Sequence, residues 1–171
     1  PAFRNCVVHG TLLSADGTKI SKSKKNYTDP MELIDTYGAD AMRIYLLSSP
    51  AAAMGDMNFK DEGIKDQIRD VLLPLLNAYS FFATYANMDS FQADPGVIPA
   101  PKGHLDRWVL ACLHRCEKQV QMAFSHYHLN KTLNPVLDFI ECVTNWYIRQ
   151  SRERFWAPGM SDDKKEAYET L

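Results

Sequence analysis

Three stretches of this chain carry apolar residues at helical spacing, and that repetition constrains the fold more than any other feature. Between residues 61 and 87 the stripe is Ile64, Ile68, Val71, Leu72, Leu75, Leu76, Tyr79 and Phe82. Pro74 lies inside it and predicts a kink, because its ring displaces the preceding carbonyl and it brings no N–H. Between 105 and 125 the stripe is Leu105, Trp108, Val109, Cys112, Cys116 and Val120. Between 129 and 156 it is Leu133, Val136, Leu137, Ile140, Val143, Tyr147 and Ile148. An amphipathic helix cannot bury its stripe alone, so three of them joined by loops predict an antiparallel bundle. A last helix is expected from Ser161, with Asp162 and Asp163 in the first turn, where the helix dipole favours anions. The stretch "NMDSFQADPGVIPAPKG", residues 87–103, reads as a loop between the first two long helices.

The front of the chain has a different character. Residues 3–9 are β-prone and short, and Asp16-Gly17 is a turn dipeptide, so a strand followed by a hairpin or loop is predicted. Asp29 suits a helix cap, Pro30 the first helical position, and Glu32 follows three residues after the cap. That helix should end near Gly38, and a second should run from Ala39 or Asp40 up to Pro50.

The chain has 171 residues and a formal net charge of -2, so any grip on a polyanion must come from local patches. Two patches stand out. "DGTKISKSKKNYTDP", residues 16–30, packs Lys19, Lys22, Lys24 and Lys25 around Ser21 and Ser23. It is either a solvated basic loop or one built to hold phosphates. It is not a Walker loop, which needs a second glycine before its lysine. In "NWYIRQSRERFW", Arg149 and Arg152 share a helix face, either solvated and paired with Glu153 or open to RNA. Trp146 diverges from core-directed Tyr147, so it is an interhelix filler or a stacking surface. The cysteines, Cys6, Cys112, Cys116 and Cys142, form no C-x-x-C pair and read as reduced thiols, Cys112 and Cys116 as small buried hydrophobes rather than metal ligands. No apolar run is long enough for a bilayer and "PAFRNCVVHG" is no secretory leader. The chain opens on Pro1 and closes within a helical pattern, which suggests a piece of a longer polypeptide.

The order of residues in the lysine loop adds a resemblance. "KISKS", preceded by Asp-Gly-Thr and followed after two more lysines by Asn26, resembles the KMSKS loop of class I aminoacyl-tRNA synthetases, with Ile20 as the apolar anchor in place of Met. "VVHG", "YGADAMRIYLLSSP", "LDRWVLACLH" and "NWYIRQSRERFW" extend the likeness along the chain. "KKNYTDP" and "NFKDEGIKDQIRDVLLPLLNAY" point to the isoleucyl-tRNA synthetases, in their eukaryote-like branch. The resemblance implies a mainly α fold. Residues 1–58 would be a short β/loop remnant of a Rossmann-type catalytic domain with the KMSKS loop. Residues 59–171 would be an antiparallel helical, anticodon-binding domain, incomplete at its C-terminus.

It also implies an aminoacyl-tRNA ligase that makes isoleucyl-adenylate from isoleucine and ATP and charges tRNA(Ile). Lys22 would meet the phosphates in the transition state, with Lys19 assisting and Ser21 offering its hydroxyl and backbone N–H. Ser23, His9 and Gly10 would lie near the nucleotide, while Lys24 and Lys25 would be mostly solvated. Arg149, Arg152 and Trp146 would contact tRNA. The expected partners are tRNA(Ile), ATP with Mg2+ and isoleucine, with no membrane, in a monomeric cytoplasmic enzyme. The H-I-G-H motif, the amino-acid pocket and the editing domain of such an enzyme are not in this sequence. The stretch alone is therefore expected to be inactive and to hold no cofactor tightly. Three other readings stay open: a valyl or leucyl relative, a stand-alone helical RNA-binding module, and a structural helical domain with a tag-like basic loop.

Overall fold

The structure is a computed structural model that describes residues 2–21, 23–96 and 98–171. It is mainly helical, with one two-stranded sheet. The expected strand at residues 3–9 is not formed. Phe3, Val7 and Val8 are exposed, and no neighbouring strand supplies the hydrogen bonds that β-prone residues need to become a sheet. The sheet instead pairs β1 (Leu12–Leu13) in parallel with β2 (Met57–Asn58). Beyond β1 the chain turns at Gly17, whose φ of 80° suits glycine, and returns as an isolated antiparallel bridge from Lys19 to Leu13.

Helix α1 (Pro30–Tyr37) starts as its sequence dictates: the Asp29 carboxylate accepts from the Met31 N–H, and Pro30 fills the first turn. Gly38 separates it from α2 (Ala39–Leu47), and a 3-10 turn, Pro50–Ala53, leads into β2. Leu33, Ala41, Phe59 and Ile64 form the first core cluster, and Leu12, Ile20 and Tyr45 pack against it. The lysine loop is thus mounted on a small hydrophobic unit built from β1, β2, α1, α2 and the residues from Phe59 to Ile64.

The first long helical pattern is realised as α3 (Asp61–Gln67), a π-helical turn (Ile68–Leu72) and α4 (Leu73–Met88). In the wide turn the Leu73 N–H reaches back to Ile68 O, one residue beyond the α-helical partner. Pro74 follows directly, so the widening makes room for its ring, and the predicted kink takes this form. The wide turn also rotates the helix face. Leu75, Leu76 and Tyr79, expected inside, point outward, while Ala78, Phe81, Tyr85 and Ala86 turn inward.

Helix α5 (His104–Ser125) buries Val109, Cys112 and Cys116 as predicted, but Trp108 is left 38% exposed. The third long pattern begins with a 3-10 turn, Leu129–Lys131. It continues as α6 (Leu133–Glu141), a π segment (Cys142–Ile148) and α7 (Arg149–Trp156). The Thr144 hydroxyl donates to Ile140 O at 2.7 Å, a side-chain bond that competes with the helical ladder where it widens. Helix α8 (Asp162–Thr170) is capped by Ser161 and drives Ala167 and Tyr168 into the second core cluster, beside Ala86 and Phe155. Tyr168 stacks on Phe91 at 4.8 Å and meets Phe155 edge-on at 5.0 Å, so the start of the connection to α5 is pinned on α8.

A polar cluster ties α5, α7 and α8 together. Asp106, 1% exposed, accepts from the two terminal guanidinium nitrogens of Arg154 at 2.7 and 3.1 Å and from the Tyr147 hydroxyl at 2.6 Å. Burial and then the Asp106 carboxylate push the Tyr147 hydroxyl well above its usual pKa, so it stays a donor. Lys164, also buried, donates to Ala157 O and pairs with Asp89 at 2.5 Å. None of the described helices is long and apolar enough to cross a membrane.

Candidate functional site

The lysine loop is held at its base by a polar collar that begins at Ser14. The Ser14 hydroxyl donates to Asp16 Oδ1 at 2.5 Å, and Thr18 donates to the same oxygen through its N–H (3.0 Å) and its hydroxyl (2.9 Å). These bonds lower the Asp16 carboxyl to about 2, the Ser14 hydroxyl contributing most. Asn26 closes the collar from the far end of the loop. Its amide donates to Ser14 Oγ, Thr18 Oγ1 and Lys19 O at 3.1 to 3.2 Å, and its carbonyl accepts from the Ser21 N–H at 3.0 Å.

Lys22 lies outside the described residues. Around it, the Ser21 and Ser23 hydroxyls are 2.8 Å apart, and the N–H groups of Lys24 and Lys25 both point at Ser21 O. Lys19, Ser23, Lys24 and Lys25 are exposed, and among the described residues none of these lysines has a carboxylate partner. Ile20 points the other way, into the first core cluster. The Ser21 N–H, expected to face phosphate, is taken by Asn26 in this conformation.

His9 is exposed, with Nδ1 2.7 Å from Gly10 O. Gly10 is set by packing: its N–H bonds Ala51 O at 2.8 Å, and a Cβ there would lie 1.8 Å from Gly55 O. The need for glycine at position 10 therefore has a structural cause, whatever else approaches it.

On the helical side, Trp146, Arg149 and Arg152 all face outward, Trp146 at 54% exposure. Among the described residues neither arginine has an ion-pair partner, and the expected pairing with Glu153 is not made. Arg154, close in sequence, does the opposite and is spent on Asp106 and Asp163. The two patches belong to one molecule whose parts touch: the turn Pro50–Ala53 lies against Leu129–Lys131, and the Asn5 amide reaches the Tyr127 hydroxyl at 3.4 Å.

Residues 1–60 match the family described as tRNA synthetases class I (I, L, M and V), and residues 106–171 match the anticodon-binding domain of tRNA ligase. The isoleucine–tRNA ligase of Treponema denticola is 40% identical over 183 residues, covering 100% of this chain and 17% of that protein. Those of Protochlamydia amoebophila and Chlamydia pneumoniae are 41% and 43% identical, again over 100% of this chain and 16% of theirs. This chain belongs to the class I tRNA synthetases.

The synthetase chain spans about a sixth of the length of these curated relatives. Its fold is similar to that in the crystal structure of the Agrobacterium radiobacter K84 LeuRS–tRNA–LeuAMS ternary complex, with a TM-score of 0.69 at 20% identity. That likeness covers 95% of this chain and 19% of the other. The synthetase's lysine loop offers ammonium and hydroxyl groups, a donor set suited to phosphate oxygens. Among its described residues no group of three or more acidic, histidine or cysteine side chains could hold a metal ion.

Sequence reasoning missed the synthetase's collar. Asp16 read there as a turn residue and Asn26 only as part of the motif's resemblance, and only the fold shows which groups they reach. Cys112 and Cys142 are neighbours inside the helical part, and burial followed by the Cys112 contact raises the Cys142 thiol to about 11, far from a reactive thiolate.

Proposed function

We propose that this chain is the part of an isoleucine–tRNA ligase that carries the phosphate-clamping loop and the first helices of the tRNA platform. The observation that carries the reading is 40–43% identity to isoleucine–tRNA ligases along the whole chain. Residues 1–58 form the end of the catalytic domain, a remnant of its Rossmann-type sheet. Residues 59–171 form an antiparallel helical domain. The complete enzyme is a cytoplasmic monomer acting on isoleucine, ATP and tRNA(Ile).

In the first step a carboxylate oxygen of isoleucine attacks the α-phosphorus of ATP. The acyl–oxygen–phosphorus linkage forms, the bond to the bridging oxygen breaks, and pyrophosphate leaves with the growing negative charge. The protein's task is positioning and charge stabilisation. Lys22 and Lys19 put ammonium groups against the departing phosphates, with Ser21 and Ser23 as hydroxyl donors, and His9 and Gly10, in the segment leading into β1, face the nucleotide. Contacts that tighten only as charge develops raise the rate of the step rather than ground-state binding. Arg149 and Arg152 meet RNA phosphates and Trp146 offers a stacking face.

The test is ATP–pyrophosphate exchange by the full-length protein with isoleucine, valine and leucine in turn. Isoleucine should support exchange best. Lys22→Ala should slow adenylate formation by about 3 kcal/mol of barrier, the scale of one lost oxyanion donor, while isoleucine binding changes little. Equal losses in both, or exchange driven equally by the other amino acids, would sink the proposal.

A further inference from the structure

We infer that Asn26 is a positioning residue for the phosphate-clamping loop, setting where Ser21 and the lysine-bearing arc of residues 23–25 stand. The inference rests on the proposed function for its catalytic half and on the hydrogen bonds alone for its structural half. The primary amide of Asn26 has two hydrogens and one carbonyl oxygen, and all are turned onto the loop's own frame. The hydrogens face Ser14 Oγ, Thr18 Oγ1 and Lys19 O, and the oxygen takes the Ser21 N–H.

These partners lie on three separate pieces: the end of β1, the turn that follows it, and the first residues of the KISKS run. One side chain therefore cinches the arc at both of its ends, while Ile20, anchored in the hydrophobic cluster, fixes the arc from beneath. The arc itself has few other holds. Its backbone is tied by the Lys24 and Lys25 N–H groups to Ser21 O, the residue that Asn26 grips, and Lys25 turns the chain at a positive φ of 48°. Asn26 is half-buried, and its bonds to Ser14 Oγ and the Ser21 N–H are partly shielded from water, whereas Lys19, Lys24 and Lys25 are exposed.

A group that clamps a transition state must be placed to within a fraction of an ångström, and a displacement of about 1 Å can lower a rate by about a hundredfold. Releasing Asn26 loosens the whole arc at once. The effect falls on the catalysed step and not on the amino-acid pocket.

The experiment compares wild type with Asn26→Ala in the full-length enzyme. Hydrogen exchange is followed by mass spectrometry on peptides spanning residues 20–27, without ATP. Isoleucine-dependent pyrophosphate exchange is measured alongside, with thermal unfolding as a control. The expected result is exchange in that peptide faster by about tenfold or more, with helical peptides unchanged. The kcat for pyrophosphate exchange should fall by about a hundredfold, with the KM for isoleucine within about twofold. Unchanged exchange in residues 20–27 overturns the cinch. Faster exchange with an unchanged kcat overturns the positioning role while leaving the proposed function standing. A lowered melting temperature with kcat per folded molecule intact also overturns it, since that is a purely structural effect. A wild-type enzyme without isoleucine-dependent exchange overturns the proposed function and the catalytic half together, and the peptide measurement then decides the cinch by itself.

Discussion

Asp106→Asn removes one charge from the most enclosed ion pair in the molecule. Asp106 is 1% exposed and faces three donors, two on Arg154 and one on Tyr147. The amide keeps the shape, but one of its two ends becomes an NH2 group opposed to the guanidinium. Breaking a buried pair by removing one partner costs about 3–5 kcal/mol. The lower end applies here, because Arg154 keeps Asp163 at 2.9 Å and its side chain stays 18% exposed. A loss of about 3 kcal/mol corresponds to a fall of about 6–12 °C in melting temperature for a chain of this size.

Arg154→Gln is the more severe single change, at about 4 kcal/mol, because it leaves the Asp106 carboxylate enclosed with only Tyr147 to satisfy it. The pair of substitutions together should be little worse than Arg154→Gln alone, since the second change then removes a charge already left without its partner. Urea unfolding of the two singles and the double, monitored by circular dichroism, measures the coupling. Strict additivity of the two losses would show that the carboxylate and guanidinium are not energetically joined, and the account of this cluster would fail.

Gly10→Ala should destabilise the front unit by about 3 kcal/mol or more, because the new methyl would meet the backbone of Gly55 at 1.8 Å and no flexible side chain can yield there; an unchanged melting temperature would refute the close approach. Asp16 titrates at about 2, below its ordinary 3.8, so the turn's stabilisation is complete above pH 4 and is lost as pH falls through 2. Carbon NMR of the Asp16 carboxyl gives that midpoint directly, and a value near 4 would remove the brace from the argument. Arg149→Ala with Arg152→Ala should weaken tRNA binding by the full-length enzyme and lower the slope of log K against log salt by about 2, one unit for each phosphate contact; an unchanged slope would make this face merely solvated.

Much of the organisation was legible in the residues themselves. The cap at Asp29, the stop at Gly38, the turn at Gly17, the 22-residue helix α5 and the Ser161 cap all follow local rules, and the structure follows them too. Local rules work there because the relevant partners lie within a few residues. The KISKS run and its apolar anchor Ile20 were equally plain, since a charged loop needs only one residue turned inward to stay attached.

What the tertiary structure decided is where a choice depended on distant neighbours. Residues 3–9 have strand character but no strand beside them, so they form no sheet. The inner face of α4 could be read from its period only at Phe82; after the wide turn ahead of Pro74, Leu75, Leu76 and Tyr79 face outward instead. Arg149, Arg152 and Arg154 look alike as letters. Only packing against α5 and α8 commits Arg154 to Asp106 and leaves the other two exposed, with no ion-pair partner among the described residues. Asn26 is the same lesson in the loop: an amide's worth is set by which groups the fold brings within 3 Å or so of it, and that is written in space, not in sequence.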